Sequence, residues 1–180
     1  DEDALADKFR LLRSHGMTSL TWDRHQGHAW SYDVVDLGYN YRIDEMRSAL
    51  GREQLRKLDR FNARRKVIAD HYRVLLNEQV PSILVPFKDH PGISAYHIMP
   101  VLLPRGTDRL QFMEKMKDQG VQTSVHYPLI HQFTSFKNNA GLRVPLSITE
   151  DVAAREVTLP LYPAMTHEQV ELVVNTAAKL

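Results

Sequence analysis

A single helical pattern runs over residues 44–77 and is closed by Pro81. Met46, Leu50, Leu58, Phe61, Ile68, Tyr72 and Leu75 mark one face, with polar interruptions at Gln54 and Arg65. Such a helix is roughly 50 Å long at 1.5 Å per residue, which is long for one compact domain. It is expected to bridge two bodies of structure. Asp44 is a suitable N-cap. Gly51 costs about 1 kcal/mol relative to alanine inside a helix, so it reads either as a close approach of another backbone or as a tolerated residue.

The approach to this helix is Gly38-Tyr39-Asn40-Tyr41-Arg42-Ile43-Asp44-Glu45. An apolar lead-in ends at glycine, then two aromatics, an amide and a guanidinium precede an acidic helix start. Arg42 can fork onto an anion, and Asn40 can donate from its amide. The first N–H groups of a helix also favour negative charge. The segment reads as a phosphate site, and it is too little to be an enzyme by itself.

Upstream, Leu5, Phe9 and Leu12 repeat at helical spacing, with acids at Asp1, Glu2 and Asp3 and basic residues at Arg10 and Arg13. Gly16 is a natural stop. The chain opens on Asp1 and enters a helix at once, so a longer protein with a part upstream is expected. Residues 17–36 read as an ordered loop holding Trp22, Trp30 and Tyr32, then a short strand near Val34 and Val35. His25 and His28 lie in this loop, but zinc sites normally need three or four protein ligands and no third stands at a suitable spacing. No metal is expected.

After Pro81 short strands and helices alternate. Strands are expected over 82–86, 95–103, 121–126 and 158–161, with Pro100 marking an edge or strand end. A helix is expected over 108–119, capped by Thr107 or Asp108, buried along Leu110, Met113 and Met116, and stopped by Gly120. Residues 129–145 read as loop with one or two helical turns. Another helix starts at Thr149. Thr166-His167-Glu168-Gln169 is a capping box opening the last helix. The fold class is α/β: a small sandwich with an antiparallel or mixed sheet of three or four strands and helices on one face.

Charge excludes some functions. Lys plus Arg is 23 and Asp plus Glu is 22, which argues against a dedicated polyanion binder. Arg52, Arg56, Arg60 and Arg64 recur every four residues and could follow phosphates, yet Glu53, Lys57 and Asp59 among them fit a solvated face. No nucleic-acid partner is expected. There is no cysteine, so thiolate chemistry is absent. No apolar run approaches the roughly 20 residues that span a bilayer, and none reads as a signal peptide. No membrane partner and a cytoplasmic location are expected. The glycines form neither GxGxxG nor GxxxxGK[ST].

One polar cluster remains, His126, Tyr127 and His131, at the end of an expected strand that turns at Pro128. Imidazole and phenol can both bond substrate oxygens. Equally, Tyr127 can cap a core edge with the histidines solvated.

The chain resembles the C-terminal segment of a DegT/DnrJ-type aminotransferase, a sugar aminotransferase dependent on pyridoxal phosphate (PLP). The likeness covers essentially all 180 residues. It rests on Leu11-Leu12-Arg13-Ser14-His15-Gly16, the Gly38–Arg42 run with Asp44-Glu45 and Ala49-Leu50-Gly51, and Arg56-Lys57-Leu58-Asp59 with Asn62-Ala63-Arg64-Arg65. Val125-His126-Tyr127-Pro128 with His131, and Leu159-Pro160-Leu161-Tyr162-Pro163, complete it. The resemblance implies the C-terminal part of a fold-type-I transferase. Residues 1–43 would be the tail of the large PLP-binding domain, 44–80 a bridging helix and 81–180 the small α/β domain. It implies a homodimer with shared active sites, moving an amino group from glutamate to a keto sugar on a nucleotide. Asn40 would reach the PLP phosphate of the partner subunit with Arg42 nearby, and His126, Tyr127 and His131 would face substrate. The lysine that bonds PLP belongs upstream of Asp1. Lys8, Lys57, Lys66, Lys115 and Lys117 do not match its motif, so no catalytic residue is assigned here and the chain alone is expected to be inactive. The alternative is a non-catalytic dimerisation or binding domain that kept the fold.

Overall fold

The computed structural model describes residues 2–18, 32–88, 90–137 and 145–180. Trp22, His25, His28 and Trp30 lie outside the described residues. The chain forms two compact units, Asp1–Arg56 and Lys57–Leu180.

In the first unit, helix α1 (Asp3–Leu12) follows the expected periodicity. The chain then turns back through His15 and Gly16, both at positive φ. His15 N–H donates to Tyr39 O at 2.9 Å, Tyr39 N–H to Leu12 O at 2.7 Å and Tyr41 N–H to Arg13 O at 2.9 Å. Ser14 bridges Asn40 and Met17 bridges Val34, so the strand expected near Val34 and Val35 is reduced to one bridge. Gly16 and Gly38 make this close pairing sterically possible. A Cβ on Gly38 would lie 2.1 Å from the Gly16 nitrogen, and one on Gly16 would lie 2.0 Å from the Asp36 carbonyl oxygen. Among the described residues of this unit only Ser14 and Gly16 are buried. Leu5, Phe9, Val35, Leu37, Tyr41 and Ile43 are exposed, an apolar surface of the kind that promotes association.

Helix α2 (Glu45–Gln79) is continuous over 35 residues. Asp44 caps it, its carboxylate accepting the Arg47 N–H at 2.8 Å. Of the apolar face read from the sequence only Ile68 and Tyr72 are buried, in the C-terminal half, together with Ala69 and Leu76, which that face did not include. Met46, Leu50 and Leu58 are exposed. A stripe is buried only where something packs on it, and periodicity cannot report that. No described atom lies within 4 Å of a Cβ built on Gly51, so that glycine is tolerated rather than required in this chain.

The second unit holds β1 (Met99–Leu102), α3 (Arg109–Asp118), a 3-10 turn (Ile130–Gln132), α4 (Thr134–Lys137), α5 (Ser147–Arg155), β2 (Glu156–Leu159) and α6 (His167–Ala177). β1 and β2 pair antiparallel with Met99 opposite Leu159 and Val101 opposite Val157. Those four residues point to one face and join a single core with Ile68, Tyr72 and Leu76, Phe112 and Met116 of α3, and Val170, Val173 and Val174 of α6. The Tyr72 hydroxyl donates to Pro160 O at 3.0 Å, and burial pushes its phenol pKa up.

The expected sheet of three or four strands is a two-stranded ladder flanked by single bridges, Leu84 to Leu102 and Ser124 to Thr158. Proline explains the truncation. In the Leu84–Leu102 register the next pairs would set Pro86 opposite Pro100 and Ser82 opposite Pro104. Pairing stops where neither strand, or only one, has an N–H to give. Beyond Ser124–Thr158, Gln122 would face Pro160, with the same result.

Caps read from the sequence hold. Asp108 accepts the Gln111 N–H at 3.0 Å, Gly120 sits at φ 78, and Thr166 and Gln169 exchange both bonds of a capping box. The buried pair of α3 is Phe112 and Met116, while Leu110 is exposed, contrary to the expected stripe. The helix expected from Thr149 begins at Ser147, and the strand expected over 158–161 begins at Glu156.

Asp151 on α5 ties Arg155 at 2.7 Å and Arg105 at 3.2 Å, and Arg155 donates to Leu103 O at 2.8 Å beside β1. The Arg155 hydrogen bond, then Arg105, holds the Asp151 carboxyl below its ordinary 3.8. A carboxyl depressed by folding contributes stability above its unfolded value and loses that contribution as pH falls through its folded value. Asp151→Asn should therefore lower the urea midpoint at pH 7, with the gap to the parent closing as pH drops below 3.8. Among the described residues no helix is long and apolar enough to cross a membrane.

Candidate functional site

Two clusters carry the expected site residues, one in each unit. In the first, the Ser14–Asn40 bridge fixes the backbone at Asn40 just ahead of α2. Arg42 Nε donates to the Asn40 side-chain oxygen at 3.1 Å. That bond uses the acceptor of the amide and leaves its NH2 pair for an outside acceptor. Tyr39 and Tyr41 stack with ring centroids 5.1 Å apart. The helix start contributes less than the sequence suggests. Asp44 already takes the Arg47 N–H, and Asp44 and Glu45 meet the positive end of the helix with their own charge. An anion held here would have to rely on the side chains of Asn40 and Arg42.

The second cluster is built on the sheet edge. His126 and Tyr127 touch ring to ring at 4.9 Å, edge on, and the peptide between them is cis. Tyr127 is exposed. His126 turns inward, its Nδ1 lying 2.9 Å from Thr158 Oγ1 and 3.5 Å from Ser124 Oγ. Its backbone N–H donates to the Glu156 carboxylate at 3.0 Å. His131 has a different neighbour, Glu150 Oε1 at 3.2 Å from its Nε2. The structure thus joins His126 to Tyr127 and gives His131 a separate hydrogen-bond partner on α5, Glu150.

Sequence reasoning missed Glu156 and Thr158. Their signal was register: with Ser124 opposite Thr158, His126 faces Glu156, and all four share one face of the ladder. Ser124 and Thr158 also line a cavity of about 430 Å³ walled by Tyr162 and Gln169, a volume suited to a small ligand.

The arginine stripe of α2 divides into separate roles. Arg56 pairs Glu53 at 2.5 Å, Arg60 lies 5.3 Å over the Phe61 ring, and Arg64 donates to Met165 O at 2.8 Å.

A short antiparallel sheet sharing its core with one very long helix is the architecture of the C-terminal part of fold-type-I, PLP-dependent sugar aminotransferases. The spore coat polysaccharide biosynthesis protein SpsC of Bacillus subtilis is 31% identical over 181 residues, covering 97% of this chain and 46% of SpsC. The structure of Helicobacter pylori PseC, an aminotransferase involved in the biosynthesis of pseudoaminic acid, superposes with a TM-score of 0.85 at 26% identity, covering 99% of this chain and 46% of PseC. The sugar aminotransferase CalS13 from Micromonospora echinospora gives 0.83 at 26%, covering 99% of this chain and 45% of CalS13. The model of the DegT/DnrJ/EryC1/StrS aminotransferase family matches residues 1–178, and the chain belongs to that family. It spans about half the length of the curated relatives it matches.

Proposed function

We propose that this chain is the C-terminal portion of an aminotransferase that moves an amino group from glutamate to a keto sugar carried on a nucleotide. Residues 1–43 are then the tail of the large domain, 44–80 the bridging helix and 81–180 the small domain. The enzyme acts in the cytoplasm as a homodimer with its active sites at the subunit interface. The observation that carries the reading is Asn40, whose carbonyl oxygen is occupied by Arg42 while its NH2 faces no acceptor among the described residues. An amide held in that orientation beside a guanidinium fits a phosphate.

The residues present therefore fit the phosphate end of PLP. Asn40 and Arg42 would hold it for the partner subunit. When bound, PLP supplies the electron sink that lets the donor's Cα–H bond break. The lysine that bonds it lies upstream of Asp1, so the chain by itself carries no catalytic residue and is inactive. His126, Tyr127 and His131 face the sugar, with Tyr127 against the His126 ring and His131 held by Glu150.

The test uses the intact protein with PLP. Addition of glutamate without any sugar should release about one equivalent of 2-oxoglutarate per subunit, and a keto sugar nucleotide should make release continuous. Failure to take up PLP, together with no 2-oxo acid from any amino donor, would overturn the reading.

A further inference from the structure

We propose that Glu156 and Thr158 form a positioning relay that fixes His126 as the Nδ1–H tautomer and leaves Nε2 as a hydrogen-bond acceptor for a ligand hydroxyl. Glu156 is 5% exposed and Thr158 is 5% exposed, so both groups act in a nearly dry setting. The two carboxylate oxygens of Glu156 each receive one donor. The Thr158 hydroxyl donates to Oε1 at 2.5 Å, and the His126 backbone N–H donates to Oε2 at 3.0 Å. A hydroxyl has a single proton, and a carboxylate only accepts. With its proton committed to Glu156, Thr158 Oγ1 can only accept at its 2.9 Å contact with His126 Nδ1. The proton on that contact therefore belongs to Nδ1, and in the neutral ring Nε2 keeps its lone pair.

The sheet explains how this relay arises. In register, His126 stands opposite Glu156, where an ordinary ladder would pass its N–H to the Glu156 carbonyl. The carboxylate takes the N–H instead, and Arg109 Nη1 approaches the Glu156 carbonyl at 3.5 Å. The edge segment leaves the sheet at that point with its imidazole laid over Thr158. Among the described residues His126 Nε2 has no partner, and it is not among the buried unpartnered atoms, so it is open to a ligand. In water a neutral histidine favours the other tautomer, so the fixed form is a product of the fold.

The ligand class rests on the function proposed above: a keto sugar presents hydroxyls, which donate to a bare imidazole nitrogen. The tautomer does not rest on it. Nitrogen chemical shifts of ¹⁵N-histidine in the intact protein, compared with Thr158→Val and Thr158→Ser, read the proton position without substrate. His126 should be almost wholly Nδ1–H in the parent, revert mainly to Nε2–H in Thr158→Val, and recover in Thr158→Ser. A parent ring carrying its proton on Nε2 would overturn the relay even if the enzyme transaminates. In turnover, Thr158→Val should raise the KM for the keto sugar about tenfold, one neutral hydrogen bond, and Thr158→Ser should restore it. An unchanged KM with the tautomer as stated would overturn the acceptor role of Nε2. Loss of both half-reactions with a folded, Nδ1–H protein would instead count against the aminotransferase reading alone.

Discussion

Asn40→Ala should weaken PLP retention by the intact protein roughly tenfold to a hundredfold, the cost of one hydrogen bond to a charged group. The loss is local. Asn40 is exposed, its side chain fills no core space, and its one side-chain bond among the described residues is to Arg42. The unfolding free energy should therefore stay within about 0.5 kcal/mol of the parent, as for most surface substitutions. Asn40→Asp should be worse than Asn40→Ala, because it sets a negative charge against the phosphate where the amide gave a donor. Cofactor occupancy, read from the absorption of bound PLP after gel filtration, separates the variants. Equal occupancy in the parent and Asn40→Ala would remove Asn40 from the phosphate site. Because the proposed site is shared between subunits, mixing Asn40→Ala with a variant lacking the upstream lysine should restore occupancy in a fraction of the sites.

Much of this fold is legible in the sequence because its punctuation is local. Asp44, Asp108 and the Thr166–Gln169 box each act within four residues, and each does what its chemistry demands. Gly16 likewise takes the positive φ expected of a helix stop. The larger misreadings come from partners distant in the chain. The apolar stripe of α2 looks uniform from Met46 to Leu75, yet only the part with a core beside it is buried. Strand lengths were overestimated because proline ends a ladder according to what stands opposite. Pro86 and Pro100 meet only once Leu84 is known to pair with Leu102. The candidate site divides in the same way. Asn40 and Arg42 are two residues apart and could be read together, whereas His126 depends on Glu156 and Thr158 from another strand.

That division also bears on the apolar surface of the first unit. Its helix and its paired segment are held by backbone hydrogen bonds, with no buried apolar side chain among the described residues. Order in this unit therefore depends on the backbone ladder more than on packing, and the ladder in turn depends on two glycines.

Gly38→Ala is accordingly expected to disrupt the first unit, while the same change at Gly51 is expected to help. The methyl added at position 38 would sit 2.1 Å from the Gly16 nitrogen, 2.4 Å from the His15 carbonyl carbon and 2.8 Å from His15 Cα. All three are backbone atoms, so no rotamer change relieves the collision. Relief requires separating the segments, which breaks the His15–Tyr39, Tyr39–Leu12 and Tyr41–Arg13 bonds together. Moving Gly16 aside is blocked in turn, since it already approaches Asp36 and holds φ 69. Loss of roughly 3 kcal/mol or more follows, in the range of backbone strain and broken hydrogen-bond networks. At Gly51 no described neighbour stands within 4 Å of an added Cβ, and α2 gains about 0.5–1 kcal/mol from alanine's better helix propensity. Amide exchange at Tyr39 and Tyr41 in the intact protein distinguishes the two. Gly38→Ala should abolish their protection and, by displacing Asn40, lower PLP retention, whereas Gly51→Ala should leave both intact. Protected Tyr39 and Tyr41 amides in Gly38→Ala would mean that the glycine pair does not hold the ladder, and that Asn40 owes its position to something else.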